Sequence, residues 1–136
     1  MDMVVQREAS QSKVLVVEDE LIIGMDLVMT LEDWGYRAEG PLNSVAKALD
    51  SIENETPDIA ILDVNLGKTE TSMPLAERLT ELGIPYVFLT GYDPARYENG
   101  PENLHAPYLR KPLDQGALQD LLQEMVPAHN ARHRVG

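Results

Sequence analysis

Apolar residues follow two rhythms along this chain. Lys13-Val14-Leu15-Val16-Val17, Ile59-Ala60-Ile61-Leu62 and Ile84-Pro85-Tyr86-Val87-Phe88-Leu89 are short runs without polar alternation. That is the habit of strands buried on both faces of a parallel sheet. Between the runs, apolar residues recur at helical spacing: Leu21, Met25, Val28 and Leu31, flanked by Ile22 and Met29; then Val45, Leu49 and Ile52; then Leu75, Leu79 and Leu82; and finally Leu118, Leu121, Leu122 and Met125. Tyr36 to Gly40 and Tyr108-Leu109-Arg110 add two shorter strands. Five strands alternating with helices predict an α/β fold, a doubly wound five-stranded parallel sheet with right-handed crossovers.

Punctuation supports those elements. Gly35 closes the first helix, with Trp34 expected to pack under its end, and Asn43-Ser44 opens the second. Pro57 ends the next connection, and Gly67 to Thr71 reads as a polar loop. Ser72 and Pro74 start the third helix, Gly83 stops it, and Asp114 caps the last. One stretch fits poorly. Asp93 to Pro107 holds three prolines and one glycine and little to bury beyond Leu104 and the ring of Tyr97. A short, distorted or mobile fourth helix is expected there. Residues 1–12 read as a flexible N-terminus, 13–126 as the single domain and 127–136 as a disordered polar tail.

Composition narrows the partners. The 136 residues suit one domain, and a net charge of −12 repels nucleic acid and anionic lipid. A cation, or a protein with a basic or apolar face, is the better match. Without cysteine there are no disulfides or thiolate metal sites, and no segment reads as a signal peptide or a membrane span. The expected location is cytoplasmic.

The chemistry lies where the strands end. Glu18 and Asp19 follow the first strand, Asp63 ends the third, Thr90 the fourth, and Lys111 follows the fifth. In an open α/β sheet these carboxyl ends share one crevice. Three carboxylates there repel one another unless a hard cation joins them, which points to Mg²⁺. With a lysine to balance charge, a carboxylate can attack a phosphoryl group and form an acyl phosphate. Asp63 is the expected nucleophile, and the Thr90 hydroxyl can detect the new oxygens.

Val16-Val17-Glu18-Asp19-Glu20, Leu62-Asp63-Val64-Asn65, Thr90-Gly91 and Lys111-Pro112, in this order, resemble the receiver domain of two-component response regulators over Lys13 to Met125. The resemblance implies a flavodoxin-like fold of strand order 2-1-3-4-5, an order for which a receiver is a standing example. It implies Asp63 as phosphoacceptor, Asp19, Asp63 and the Asn65 carbonyl as magnesium ligands, and Glu18 reaching the ion through water. Thr90 and Lys111 become the phosphate-sensing pair and Tyr108 the switch aromatic. Pro85-Tyr86-Val87-Phe88-Leu89-Thr90-Gly91-Tyr92 is similar to the Pro-Phe-x-Phe-Ala-Thr-Gly-Tyr signature of single-domain receivers found mostly in alphaproteobacteria, often in general stress signalling. Receivers commonly carry Met-Pro shortly after the phosphoacceptor; here Leu66-Gly67 stands instead, so the shape of that loop does not carry over.

The implied function is a protein switch phosphorylated by a sensor histidine kinase or a histidine phosphotransfer protein and read by a downstream protein. It would be no conventional enzyme, taking phosphoryl groups from donors and losing them to water. The alternative is a phosphate shuttle or sink in a phosphorelay. A haloacid-dehalogenase-type phosphatase would want its nucleophile on the first strand and an acid where Asn65 stands. A flavin module would need a phosphate cradle where Glu18-Asp19-Glu20 repels one. His105, His129 and His133 lie in an irregular loop or a polar tail and read as solvated bystanders.

Overall fold

The computed structural model describes residues 11–91 and 106–126. In chain order these form β1 (Lys13–Val17), α1 (Leu21–Asp33), β2 (Arg37–Leu42), α2 (Val45–Asn54), β3 (Ile59–Asp63), β4 (Asn65–Leu66), β5 (Glu70–Thr71), α3 (Met73–Leu82), β6 (Tyr86–Thr90), β7 (Tyr108–Arg110) and α4 (Gln115–Met125). Five strands make one parallel sheet of order β2-β1-β3-β6-β7. Counting sheet strands alone, that is the expected 2-1-3-4-5. The fourth helix expected in Asp93 to Pro107 falls almost wholly outside the described residues, as does the tail 127–136.

Unbroken apolar runs make the sheet's interior. All residues of β1, β3 and β6 are buried, and their side chains alternate between two cores. Leu15, Val17, Ala60, Leu62 and Phe88 face Ala48 and Ile52 of α2 and Leu75, Ala76 and Leu79 of α3. Val14, Val16, Ile59, Ile61, Val87 and Leu89 face Leu27 and Leu31 of α1 and Leu118 and Leu122 of α4. Each large side chain buried this way contributes about 1.5–3 kcal/mol, and truncating Phe88 to alanine costs about 3–5 kcal/mol. Local chemistry then fixes the helix ends. The Ser44 hydroxyl accepts from the Lys47 amide, and Asp114 accepts from the amides of Gly116 and Ala117.

Four details differ from the sequence reading. The buried face of α1 is Gly24, Leu27 and Leu31, whereas Leu21, Ile22, Met25 and Met29 are 64%, 84%, 50% and 63% exposed. The reason is a close approach: a Cβ on Gly24 would collide with the Pro41 side chain, so α1 rests on β2 through its glycine. The helix is thereby rotated, and its larger apolar residues share an outward stripe. β2 runs to Leu42 instead of Gly40 because an irregularity in its pairing brings Leu42 beside Val17. Gly67 to Thr71 is loop only in part: residues 67–69 turn between the strands of the antiparallel hairpin β4–β5, and Glu70–Thr71 form its second strand. Ser12, assigned to the flexible flank, is buried, and its carbonyl accepts from the Arg37 amide.

Candidate functional site

Sheet topology brings Glu18, Asp19, Asp63, Thr90 and Lys111 to the carboxyl ends of the strands, and four predicted residues, Asp19, Asp63, Asn65 and Lys111, line the crevice there. Glu18 and Asp19 follow the last residue of β1, and Asp63 is the last of β3. Asp63 pairs with Leu89 of β6, so Thr90, buried at the strand end, lies one register position beyond it. The Lys111 amide donates to the Thr90 carbonyl at 2.8 Å, which sets where the lysine leaves β7. Its peptide bond to Pro112 is cis. Asp19, Glu20, Asp63, Asn65, Gly67, Gly91 and Lys111 line an open crevice of about 400 Å³. Tyr108 is 43% exposed, on the outer strand of the sheet and not in this lining.

Among the described residues the crevice is short of positive charge. Lys111 Nζ lies 2.8 Å from Glu18 Oε1, 3.2 Å from Asp63 Oδ2 and 3.7 Å from Glu20 Oε1. One ammonium thus serves three carboxylates, with Asp19 beside them. Burial, the shared hydrogen bond with Glu18 and the Glu18 charge push the Asp63 carboxyl up to about 7, against the pull of Lys111. Burial alone would lower the Lys111 ammonium, but Glu18 and Asp63 outweigh it and hold it above the usual lysine range.

One carboxylate oxygen from each of Glu18, Asp19 and Asp63 lies within 4.8 Å of the others. All are hard oxygen donors of the kind magnesium prefers. Glu18 Oε2 accepts from the Glu20 amide, while Glu18 Oε1 is buried with no hydrogen bond of good geometry and faces the Lys111 ammonium 2.8 Å away. A buried carboxylate oxygen in that state fits a site completed by a cation and its water. The residues present therefore suit Mg²⁺. Asn65 opens β4 at the rim of the same crevice, half-buried.

Three lining residues, Glu20, Gly67 and Gly91, were missing from the predicted site. Glu20 stood out in the sequence only as the third acid of a run, yet it lines the crevice. Gly67 donates its amide to Asp19 Oδ2 at 2.8 Å. Its φ of 73° is a left-handed conformation natural to glycine, and the Leu66-Gly67 departure from the common receiver pattern was the available signal.

Fold, acid cluster and lysine together define a receiver. The family model for the response regulator receiver domain matches residues 14–123, and the chain belongs to that family. Among curated proteins it is similar to the transcriptional regulatory protein PdtaR of Mycobacterium tuberculosis, 31% identical over 80 residues, covering 59% of this chain and 39% of the relative. It is also similar to the response regulator GraR of Staphylococcus aureus, 29% identical over 112 residues, covering 82% and 50%. The chain thus spans half or less of these relatives. Among solved structures, SdrG from Sphingomonas melonis Fr1 is 35% identical with a TM-score of 0.72, over 86% of this chain and 98% of SdrG. A CheY-like receiver from Methanospirillum hungatei JF-1 is 25% identical with a TM-score of 0.78, over 90% and 98%.

Proposed function

We propose that this receiver takes a phosphoryl group onto Asp63 from the phosphohistidine of a sensor kinase or phosphotransfer protein, in a magnesium-dependent reaction in the cytoplasm. The observation that carries the proposal is the charge imbalance around Asp63: among the described residues, one ammonium stands among four carboxylates, in a crevice open to solvent. An Asp63 carboxylate oxygen attacks phosphorus, the bond from phosphorus to the donor's imidazole nitrogen breaks, and the imidazole leaves with the electron pair. Asp19, Asp63 and the Asn65 carbonyl would hold the magnesium ion, with Glu18 behind a bridging water. When bound, the ion supplies the positive charge that keeps Asp63 ionised and offsets the incoming phosphoryl group. Lys111, already 3.2 Å from Asp63, turns to a phosphoryl oxygen, and the Thr90 hydroxyl detects another.

The product is an aspartyl phosphate that hydrolyses in place, so the molecule acts as a timed switch read through protein contacts. Tyr108, exposed on β7 two residues before Arg110, is the aromatic that reports the change. The outward apolar stripe of α1 starts at Leu21, next to the crevice-lining Glu20. A helical phosphodonor resting on that stripe would bring its histidine to the crevice mouth. The Pro85 to Tyr92 signature supports the single-domain subfamily and a role in stress signalling.

The test is phosphoryl uptake from acetyl phosphate and from a panel of autophosphorylated histidine kinases, with and without a magnesium chelator. Magnesium-dependent, hydroxylamine-labile incorporation should occur in the wild type and vanish in Asp63→Asn. Incorporation that survives either the substitution or the chelator would remove the proposal.

A further inference from the structure

Resting on that reading of the site, the geometry points to Glu70 as a positioning residue for the divalent cation, acting through the hairpin β4–β5 and Asp19. Glu70 belongs neither to the cluster of carboxylates nor to the crevice lining. Its Oε1 accepts a hydrogen bond from the backbone amide of Val45 at 3.2 Å. Val45 is the first residue of α2, where a carboxylate also meets the positive end of the helix.

The contact closes a ring. Glu70 pairs across the hairpin with Leu66, which is buried in the core, and the Ser72 amide donates to the Val64 carbonyl at 2.9 Å to tie the hairpin's base. Gly67, at the turn between these strands, presents its amide to Asp19 Oδ2. On the other side, the Glu18 amide donates to the Leu42 carbonyl at 2.9 Å, and Leu42 leads in three residues to Val45. The acid pair is therefore held at the Glu18 backbone by the β2–α2 junction and at the Asp19 side chain by the hairpin, and Glu70 joins these two supports. Asp19 is the exposed member of the carboxylate trio, so its orientation depends most on such a tie. Without the Glu70 brace the hairpin tip is free to shift, the Gly67 amide leaves Asp19, and the carboxylate must be reordered when the cation binds. The cost falls on cation affinity and not on the transfer step.

The experiment is calorimetric titration of the full chain with MgCl₂, paired with phosphoryl uptake from acetyl phosphate at saturating magnesium. Removing a partner behind a metal ligand weakens binding by about 10–100-fold, and at one step further removed we expect about three- to tenfold weaker magnesium binding in Glu70→Ala. Glu70→Gln should bind within about twofold of wild type, because its amide oxygen still accepts from Val45 while the charge is gone. Val45→Pro breaks the same hydrogen bond from the donor's side. Proline is tolerated at a first helical position, and Ser44 before it already has extended angles, φ −151° and ψ 157°. It should weaken magnesium as Glu70→Ala does, and the double variant should be no weaker than either single one. Uptake at saturating magnesium should match wild type throughout.

Thermal melts without magnesium establish that each variant is folded. A folded Glu70→Ala with wild-type affinity overturns the assignment, and so does equal weakening by Glu70→Gln, which would make the effect one of charge. Additive losses in the double variant would overturn the shared route through Val45. A wild type that binds no magnesium at millimolar concentration would overturn the functional reading as well, whereas failure of the variants alone leaves that reading standing.

Discussion

The two edges of the sheet are built from the same residue types and behave in opposite ways. At the amino edge, Lys13 Nζ lies 2.7 Å from Glu39 Oε1 and 3.2 Å from Glu55 Oε1, and donates to the Glu55 carbonyl at 2.9 Å. Arg37 adds a second cation 2.6 Å from Glu55 Oε2, and the Ser51 hydroxyl donates to Glu39. Bonds to Lys13 and Ser51 hold the Glu39 carboxyl below the ordinary range, and Arg37 and Lys13 do the same for Glu55. At the carboxyl edge, Lys111 is the one cation among the described residues that faces Glu18, Glu20 and Asp63, and the Asp63 carboxyl is pushed upward. A cluster whose charges balance is finished by folding. One that remains short of cations is finished by something else, and the difference separates a brace from a site more reliably than the presence of acids does.

Exchanging the nucleophile gives the largest contrast. Asp63→Asn should lose all phosphoryl uptake yet raise the unfolding free energy of the magnesium-free chain at pH 7.5 by about 1–2 kcal/mol, by relieving like charges in close contact. Urea unfolding in a chelating buffer checks the second half; an unchanged or lowered stability would show that the carboxylates do not strain the fold. Lys13→Met should do the reverse. Stability should fall by about 2 kcal/mol, less than for a fully enclosed pair because Glu39 and Glu55 are partly exposed. The folded fraction should take up phosphoryl groups at the wild-type rate.

Magnesium should stabilise one edge only. At ten times its dissociation constant it adds about 1.4 kcal/mol to the wild type by mass action, and clearly less to Asp63→Asn, as thermal melts would show. A smaller effect is the sign of the pH dependence. Asp63 binds its proton more tightly folded than unfolded, so its contribution is complete below the ordinary 3.8 and is lost as pH rises toward about 7. Glu39 and Glu55 bind theirs less tightly folded, so their contribution is present above the ordinary 4.5 and is lost on acidification below it. Asp63→Asn should flatten the first limb of the stability profile and Lys13→Met the second. Profiles in which both substitutions alter the same limb would break the comparison.

Much of this was legible in the sequence, for a physical reason. A strand buried on both faces must be apolar along its length, so the change to polar residues at Glu18 and after Leu62 marks where each strand leaves the core. Caps are equally local: Ser44 and Asp114 act within three residues of themselves. What sequence reading missed was set by distant contacts. Periodicity gave α1 its helix but not its rotation, because that is decided by Gly24 against Pro41 on another element. The polar composition of Gly67 to Thr71 gave no hint of a hairpin, since its strands are two residues long and their ties are to Asp19 and to the start of α2. Ser72 begins α3 as expected, yet its hydroxyl points to the Val64 carbonyl at 3.5 Å instead of capping the helix.

The rotation of α1 also governs how many of these molecules behave together in solution. Leu21, Ile22, Met25 and Met29 present a sticky stripe to neighbours, and what keeps molecules apart is the net charge of −12 they all carry. That repulsion reaches about 10 Å at 0.1 M salt and about 3 Å at 1 M. Concentrated preparations should therefore stay clear and monodisperse in dilute buffer and begin to self-associate as sodium chloride is raised, the opposite of a protein held together by ion pairs. Met25→Lys, on the stripe but clear of the crevice lining, should shift the onset to higher salt, so that light scattering against ionic strength becomes a direct reading of which way the helix faces.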